Sequence, residues 1–231
     1  MLLIDSDTLA YVAAIMAEDY DESAVRYNVD KMLEDTLIEC NDFNFMCFLT
    51  GKTNFRYDVY PEYKANRKDQ PKPKYLDVAR QRLIDEYKAT VSDGCEADDL
   101  VSIEQYKRAN EATVVHIDKD LNQIVGWHYN PRKKERYLVS PNDAIRFFYE
   151  QLLVGDTADN VKGAKGIGPK KAAKILDQCE NEQEMFVAVR DVYGCDQELL
   201  MNAQVLWIQK AEGDIWKWPE WAEPMEEVVG N

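Results

Sequence analysis

The chain has 231 residues, enough for one large domain or two small ones, and acidic residues outnumber basic ones to leave a net charge of −15. A hydrophobic fraction of 45% excludes a disordered or collagen-like chain, and no apolar run is long enough to cross a membrane, so a soluble cytoplasmic protein is expected, acting as a monomer. Five cysteines without a C-x-x-C pair and only two histidines argue against a disulfide framework or a zinc centre. The acidity is uneven: residues 1–47 hold 11 acids and 2 bases, residues 175–231 hold 13 and 3, and the middle is therefore slightly basic. A nucleic-acid partner is not excluded by the average.

In chain order, Leu2–Asp5 reads as a buried strand ending in an acid, followed by helical periodicity over Thr8–Met16 and Val25–Glu39. Phe43–Leu49 reads as a second buried strand. Pro61, Pro71 and Pro73 forbid a long regular element across the Tyr- and Lys-rich stretch that follows. Tyr75–Ala89 and Ala97–Asn110 read as helices, with Arg80 and Arg82 as general surface charge. Ala112–Ile117 is a third strand, and Tyr129–Ser140 a hairpin about Pro131–Lys134. Ser140 is a good N-cap for the periodic Ala144–Leu153. A glycine-punctuated basic segment precedes an acidic helical tail bearing Trp207, Trp216, Trp218 and Trp221. Alternating strands and helices predict an α/β fold with a mostly parallel central sheet flanked by helices. The expected division is a core at 1–140, with a short basic segment at about 60–90, and a helical region at 141–231.

Eight acids sit where strands end or helices begin: Asp5, Glu96, Asp98, Asp99, Asp118, Asp120, Asp156 and Asp159. A single such acid is ordinarily a helix cap or a solvated loop residue. In an open parallel sheet, however, the carboxyl ends of the strands line one crevice. Crowded carboxylates repel and raise one another's pKa unless cations join them. Oxygen-only ligands suit Mg²⁺ or Mn²⁺, and two such ions are a standard apparatus for phosphodiester hydrolysis.

Residues 161–176, VKGAKGIGPKKAAKIL, place Gly163, Gly166 and Gly168 in a tight turn before a helix opened by Pro169. Turn amides with Lys162, Lys165, Lys170, Lys171 and Lys174 make an anion site, and Ala172, Ala173, Ile175 and Leu176 supply an apolar face. This is the pattern of a helix–hairpin–helix, spanning about 155–176, which grips DNA backbone without reading bases. In PEYKANRK, Tyr63 offers a ring for stacking, and Lys64 and Arg67 reach for phosphate oxygens; by itself the stretch reads equally as a solvated basic loop.

Taken in order, Asp5, YKANR, EADD, DKDLNQI and GDTADNVKGAKGIGPKKAAKIL resemble the 5′-nuclease family of phage 5′–3′ exonucleases, polymerase-linked 5′-nuclease domains and flap endonucleases, over residues 1 to about 180. The resemblance implies a PIN-like core with a helix–three-turn–helix. It implies metal-dependent 5′–3′ hydrolysis of DNA at a 5′ end, flap or nick in phage or bacterial replication, with RNA–DNA hybrids as further substrates. For a phage protein the compartment is the host cytoplasm. It assigns the first six acids to metal binding and Asp156 and Asp159 to a second metal position. Tyr63, Lys64 and Arg67 become the residues orienting the scissile phosphate, and turn carbonyls of Val161, Gly166 and Gly168 a K⁺ site. Two departures stand out: FLTGK has Thr50 and Gly51 where the family commonly has an aspartate, with Asp7 as a candidate substitute, and the stretch from Arg67 to Glu96 is short for a full helical arch, which favours exonuclease or RNA-primer removal over threading of long flaps. Two other readings remain open, a PIN-like endoribonuclease and a DNA-binding protein with weakened catalysis.

Overall fold

The computed structural model describes residues 1–222; residues 223–231 of the expected acidic tail lie outside them. In chain order the elements are β1 (Leu2–Asp5), α1 (Ser6–Met16), α2 (Glu22–Cys40), β2 (Phe45–Leu49), α3 (Arg56–Val59), α4 (Leu76–Tyr87), β3 (Thr90–Val91), α5 (Ala97–Lys107), β4 (Thr113–Val115), β5 (Gly126–Asn130), β6 (Glu135–Val139), α6 (Pro141–Val154), β7 (Gly155–Asp156), β8 (Val161–Lys162), α7 (Pro169–Leu176), α8 (Glu182–Tyr193) and α9 (Asp196–Leu206). Short 3₁₀ turns cover Ala65–Arg67 and Lys119–Gln123. The chain forms two compact units.

The first unit comprises Met1–Phe55, Asp69–Ala144 and Ile208–Glu212. Its six-stranded sheet has the order β3-β2-β1-β4-β5-β6, parallel throughout except for the antiparallel β5–β6 hairpin. The period of two along β1 divides the core. Leu2 and Ile4 point into one layer with α1, α2 and α4, where Val25, Val29, Leu33, Ala79 and Leu83 are buried. Leu3 points into the other with Phe48, Val114, Ala97 and Val101 of α5. A fully covered parallel sheet explains why β1, β2 and β4 read as unbroken apolar runs rather than alternating ones.

Local chemistry sets the ends of these elements. Asp21 caps α2 by accepting from the Ser23 and Ala24 amides, and Asn41 closes it in the left-handed conformation. The expected extension of α5 to Asn110 stops at Lys107, because Ala109 and Asn110 turn to positive φ. Ser140 caps α6 as its sequence promised, its hydroxyl accepting from the Asp143 amide while Asp143 bonds back. Gly51 is required where the chain leaves β2, since a Cβ there would sit 1.9 Å from the Ser92 carbonyl oxygen. The hairpin begins earlier than expected, with Gly126–Asn130 rather than Tyr129 forming its first strand.

The second unit comprises Arg56–Lys68, Ile145–Trp207 and residues 213–222 among those described. α6 through α9 surround Phe148, Leu152, Leu153, Phe186 and Val189. The tryptophans lie beyond α9 rather than in a helix: Trp216 is buried against Phe148 and Phe186, with Trp218 edge-on to Phe186. Buried Arg56 donates to the carbonyls of Val205 (2.8 Å) and Trp207 (2.7 Å), tying α3 to the end of α9. β7 and β8 form a two-stranded pair so close that a Cβ on Gly163 would lie 2.3 Å from the Gly155 nitrogen.

Candidate active site

In the first unit the acids stand at the carboxyl ends of β1 and β4 and at the start of α5. Asp5 ends β1 and caps α1, accepting from the Asp7 amide (3.1 Å) and the Thr8 hydroxyl (3.2 Å). Burial pushes its carboxyl up to about 7, and the charges of Asp7 and Asp118 push in the same direction. Asp118 caps the 3₁₀ turn after β4 by accepting from the Asp120 amide at 3.0 Å, and Lys119 Nζ lies 3.7 Å from Asp120. Glu96 and Asp99 form the capping box of α5 around Asp98. Asp99 is 0% exposed and joins distant backbone, its two oxygens accepting from the amides of Glu96 (2.9 Å) and Gln209 (3.0 Å).

Among the described residues no three of these carboxylates come together as a ready-made metal-binding group, contrary to the expected convergence. Asp5, Asp99, Asp118 and Asp120 are engaged by caps, backbone amides or Lys119, and Asp5 still feels the charges of Asp7 and Asp118. The donor chemistry nevertheless fits a divalent ion. Asp5 is a buried carboxyl with two acidic neighbours, a site whose charged form a hard cation stabilises, and every candidate donor is oxygen.

Thr50 fills the position where the family commonly has an acid, and it serves as a junction. Its amide donates to Asp7 (2.9 Å), its carbonyl accepts from Arg80, and its hydroxyl accepts from the first amide of α5, Ala97, at 2.9 Å. Arg80 also pairs with Asp7. Arg80 is therefore not general surface charge, and nor is Arg82, which holds Asp30 through two hydrogen bonds of 2.9 Å. Asp7 is engaged by a guanidinium and an amide. Thr50 thus holds the first amide of α5 while Arg80 engages both its carbonyl and Asp7.

Sequence reasoning also missed His116 and His128. His116 Nε2 lies 2.7 Å from His128 Nδ1, its Nδ1 contacts the Asp118 carbonyl, and His128 Nε2 contacts the Ile124 carbonyl at 2.8 Å. Burial holds both imidazoles down to about 4. The pair anchors the backbone of the Asp118 turn from beneath. The one signal for it was a histidine at an inward position of β5.

In the second unit Asp159 gathers the residues of the YKANR stretch. It accepts from the Tyr63 hydroxyl (2.8 Å) and Arg67 (2.6 Å), with Lys64 Nζ at 3.8 Å. The Asp159 carbonyl accepts from the Lys64 amide at 2.9 Å, which holds Lys64 at a positive φ unusual for a side chain of its size. Arg67 and Asn66 bond the carbonyls of Ala158 and Thr157. Asp156 is buried and accepts from the amides of Ala158 and Asp159. The expected stacking role for Tyr63 does not hold. Its ring is 2% exposed, packed in the core and edge-on to Tyr57, so no face is left for a base. Lys64 lies over that ring at 4.9 Å.

Further along the same unit, Lys162, Lys165, Lys170 and Lys171 are exposed around the glycine turn, while Val161, Ala172 and Leu176 are buried beneath it. Gly166 has positive φ, and its carbonyl accepts from Lys171 Nζ at 2.9 Å. Gly168 caps α7.

Comparison with known proteins agrees with this architecture. The structure superimposes on the T5 D15 protein co-crystallised with metal ions with a TM-score of 0.69 at 16% identity, covering 89% of this chain and 88% of that one. A DNA and metal complex of the bacteriophage T5 D15 flap endonuclease gives 0.71 at 15% identity, again covering 89% and 88%. Both define the fold: a mainly parallel sheet flanked by helices, of the PIN-like 5′-nuclease type. Residues 1–147 match the family model for the 5′-3′ exonuclease N-terminal resolvase-like domain, and the chain belongs to that family. Among curated relatives, DNA polymerase I of Bacillus subtilis is 28% identical over 84% of this chain and 25% of its own length. A 5′-3′ exonuclease of Mycoplasma pneumoniae is 29% identical over 80% and 74%. Flap endonuclease Xni of Vibrio campbellii is 30% identical over 58% and 57%. The chain spans about a quarter of the Bacillus DNA polymerases I it matches. Among the described residues no helix is long and apolar enough to cross a membrane.

Proposed function

We propose that the protein is a metal-dependent 5′–3′ nuclease that hydrolyses phosphodiesters of DNA, and of RNA in RNA–DNA hybrids, during phage or bacterial replication. The observation that carries the reading is Asp5: a buried carboxyl at the end of the central strand, pushed up to about 7 by burial and by Asp7 and Asp118. Folding keeps such a group only at a cost, and a function that needs a cation accounts for it.

Each unit brings its own acids to this chemistry. Asp5, Glu96, Asp98, Asp99, Asp118 and Asp120 of the first and Asp156 and Asp159 of the second are the oxygen ligands for Mg²⁺ or Mn²⁺, with Asp99 also fixing the backbone around it. When bound, such ions supply an activated water and charge stabilisation for the leaving oxygen. Lys64 and Arg67 supply positive charge for the phosphate, Arg67 orienting it and Lys64 countering charge as it grows. Both contact Asp159 in the free protein, so substrate competes with an internal carboxylate for them.

The glycine turn and α7 form the helix–hairpin–helix, with Lys162, Lys165, Lys170, Lys171 and the amides at Gly166 and Gly168 facing duplex phosphates. Carbonyls of Val161, Gly166 and Gly168 are the candidate K⁺ ligands, although Lys171 already supplies a cation to Gly166. The protein works as a cytoplasmic monomer, with the nuclease core at 1–140 and the DNA-gripping region at 141–231. The test is Asp118→Asn and Asp120→Asn: each retains its fold by circular dichroism and loses Mg²⁺-dependent cleavage by orders of magnitude. Unchanged cleavage in both refutes the metal assignment.

A further inference from the structure

Residues Ile208–Glu212 belong to the first unit, whereas Trp207 before them and Gly213 after them belong to the second. The chain therefore orders five residues against the first unit and then leaves it again. That excursion costs conformational entropy and adds no helix or strand. What it adds is a set of contacts to the segments that carry the acids.

The Ile208 amide donates to the Gln123 side-chain oxygen at 3.2 Å, and the next amide, that of Gln209, donates to Asp99 at 3.0 Å. Gln123 closes the 3₁₀ turn that holds Asp120 and is capped by Asp118. Asp99 lies in the first turn of α5 beside Glu96 and Asp98. Consecutive amides serve two acid-bearing segments, a bridge one peptide unit wide. The Ile208 side chain repeats the bridge in apolar form. It is buried in the core layer that contains Ala97 and Val101 of α5 and Leu121 and Ile124 at the turn. Beyond it, Lys210 lies over the Tyr106 ring and Glu212 pairs with Lys107 at 3.2 Å, fastening the segment along α5.

Glu96, Asp98 and Asp99 on one segment and Asp118 and Asp120 on the other repel as like charges. A divalent ion binds best where its ligands are held in place beforehand, and contacts behind the ligands set much of its affinity. We propose that residues 208–212 are a strap that positions these acids for metal, with Gln123 and Ile208 as its positioning residues. Gln123 holds the Asp118 turn to the strap, and Ile208 anchors the strap in the layer that the turn shares with α5. The assignment rests on the metal-dependent reading of this protein and deepens it by naming what keeps the ligands in register.

The experiment measures Mn²⁺ binding to the full chain, free of DNA, by isothermal titration calorimetry. Gln123→Met removes the acceptor and keeps the length of the side chain. Ile208→Ala empties the apolar contact, and Ile208→Val nearly restores it. Val29→Ala, in the opposite core layer, controls for destabilisation, with the melting temperature of every variant taken in metal-free buffer. Gln123→Met and Ile208→Ala each raise the Mn²⁺ Kd roughly tenfold, the lower end for a contact behind a metal ligand. Ile208→Val and Val29→Ala bind Mn²⁺ as the wild type does. The half-saturating Mg²⁺ concentration in single-turnover cleavage rises by the same factor in the two strap variants, and the plateau rate is kept. Wild-type Mn²⁺ affinity in either strap variant, or an equal loss in Val29→Ala, overturns the proposal. A wild type that takes up no Mn²⁺ overturns the metal reading along with it, so the two failures are distinguishable.

Discussion

The Tyr63 hydroxyl donates to the Asp159 carboxylate at 2.8 Å from a ring that is itself core. A residue that sequence places in a basic, Pro-rich loop is thus a post, and the neighbouring Lys64 and Arg67 are positioned from it. Tyr63→Phe keeps the ring and deletes one hydrogen bond to a charged acceptor, so it should cost about 1–2 kcal/mol in urea denaturation while leaving DNA affinity unchanged. Tyr63→Ala should cost about 3–5 kcal/mol through the cavity it leaves. Wild-type stability in the alanine variant contradicts the buried placement.

Asp5 allows a signed pH prediction for the metal-free protein. Its carboxyl binds a proton below about 7 when folded and only below 3.8 when unfolded. Between those values the folded state holds more protons, so this group makes stability rise as pH falls, and its penalty is complete above pH 7. Asp5→Asn should therefore be more stable than the wild type by about 1–3 kcal/mol at pH 8, an order-of-magnitude figure from the size of the shift. The advantage should shrink toward zero near pH 4. Chemical denaturation after exhaustive removal of divalent ions measures it, and an asparagine variant less stable at pH 8 removes the electrostatic argument.

Arg80 bridges Asp7 and the Thr50 carbonyl, two segments that also define the start of α5. Arg80→Gln should destabilise the fold by about 1–2 kcal/mol, since it leaves a half-buried carboxylate and a carbonyl without their cation. Loss of that cation also leaves Asp7 to act unopposed on Asp5. Thermal melting with and without Mg²⁺ checks both effects, with the deficit largest when the metal is absent.

Lys64 separates catalysis from binding. An ammonium aimed at charge that grows during reaction stabilises the transition state more than bound substrate. Lys64→Ala should lower the single-turnover rate by roughly 10²-fold and change Kd in Ca²⁺ only a few-fold. An unchanged rate at saturating enzyme shows that Lys64 serves only Asp159.

Much of the architecture was legible because its signals are local. β1, α2 and the capped α6 follow from apolar period and cap chemistry, and the acids at strand ends follow from the rule for open parallel sheets. What could not be read is non-local. β3 is two residues, Thr90–Val91, recognisable as a strand only through its register with Phe48 and Leu49. Residues 208–212 return to the first unit through Ile208 and Gln209, which donate to Gln123 and Asp99 across 85 and 110 positions. Tyr63 reads as solvated because its own neighbours are; the Asp159 carboxylate that takes its hydroxyl lies 96 residues on. Of the candidate site, residue types and chain order were readable, whereas the pairing of Asp7 with Arg80 and of Asp159 with Tyr63, Lys64 and Arg67 required the fold.

Metal-dependent hydrolysis from the 5′ end is tested by digesting one duplex that carries a label at either its 5′ or its 3′ terminus. With Mg²⁺, the 5′-labelled strand should release mononucleotide or short products at once, while the 3′-labelled strand shortens progressively. Chelation of the metal should stop both. Release of the 3′ label first, or cleavage that persists in the absence of divalent ions, rules this activity out.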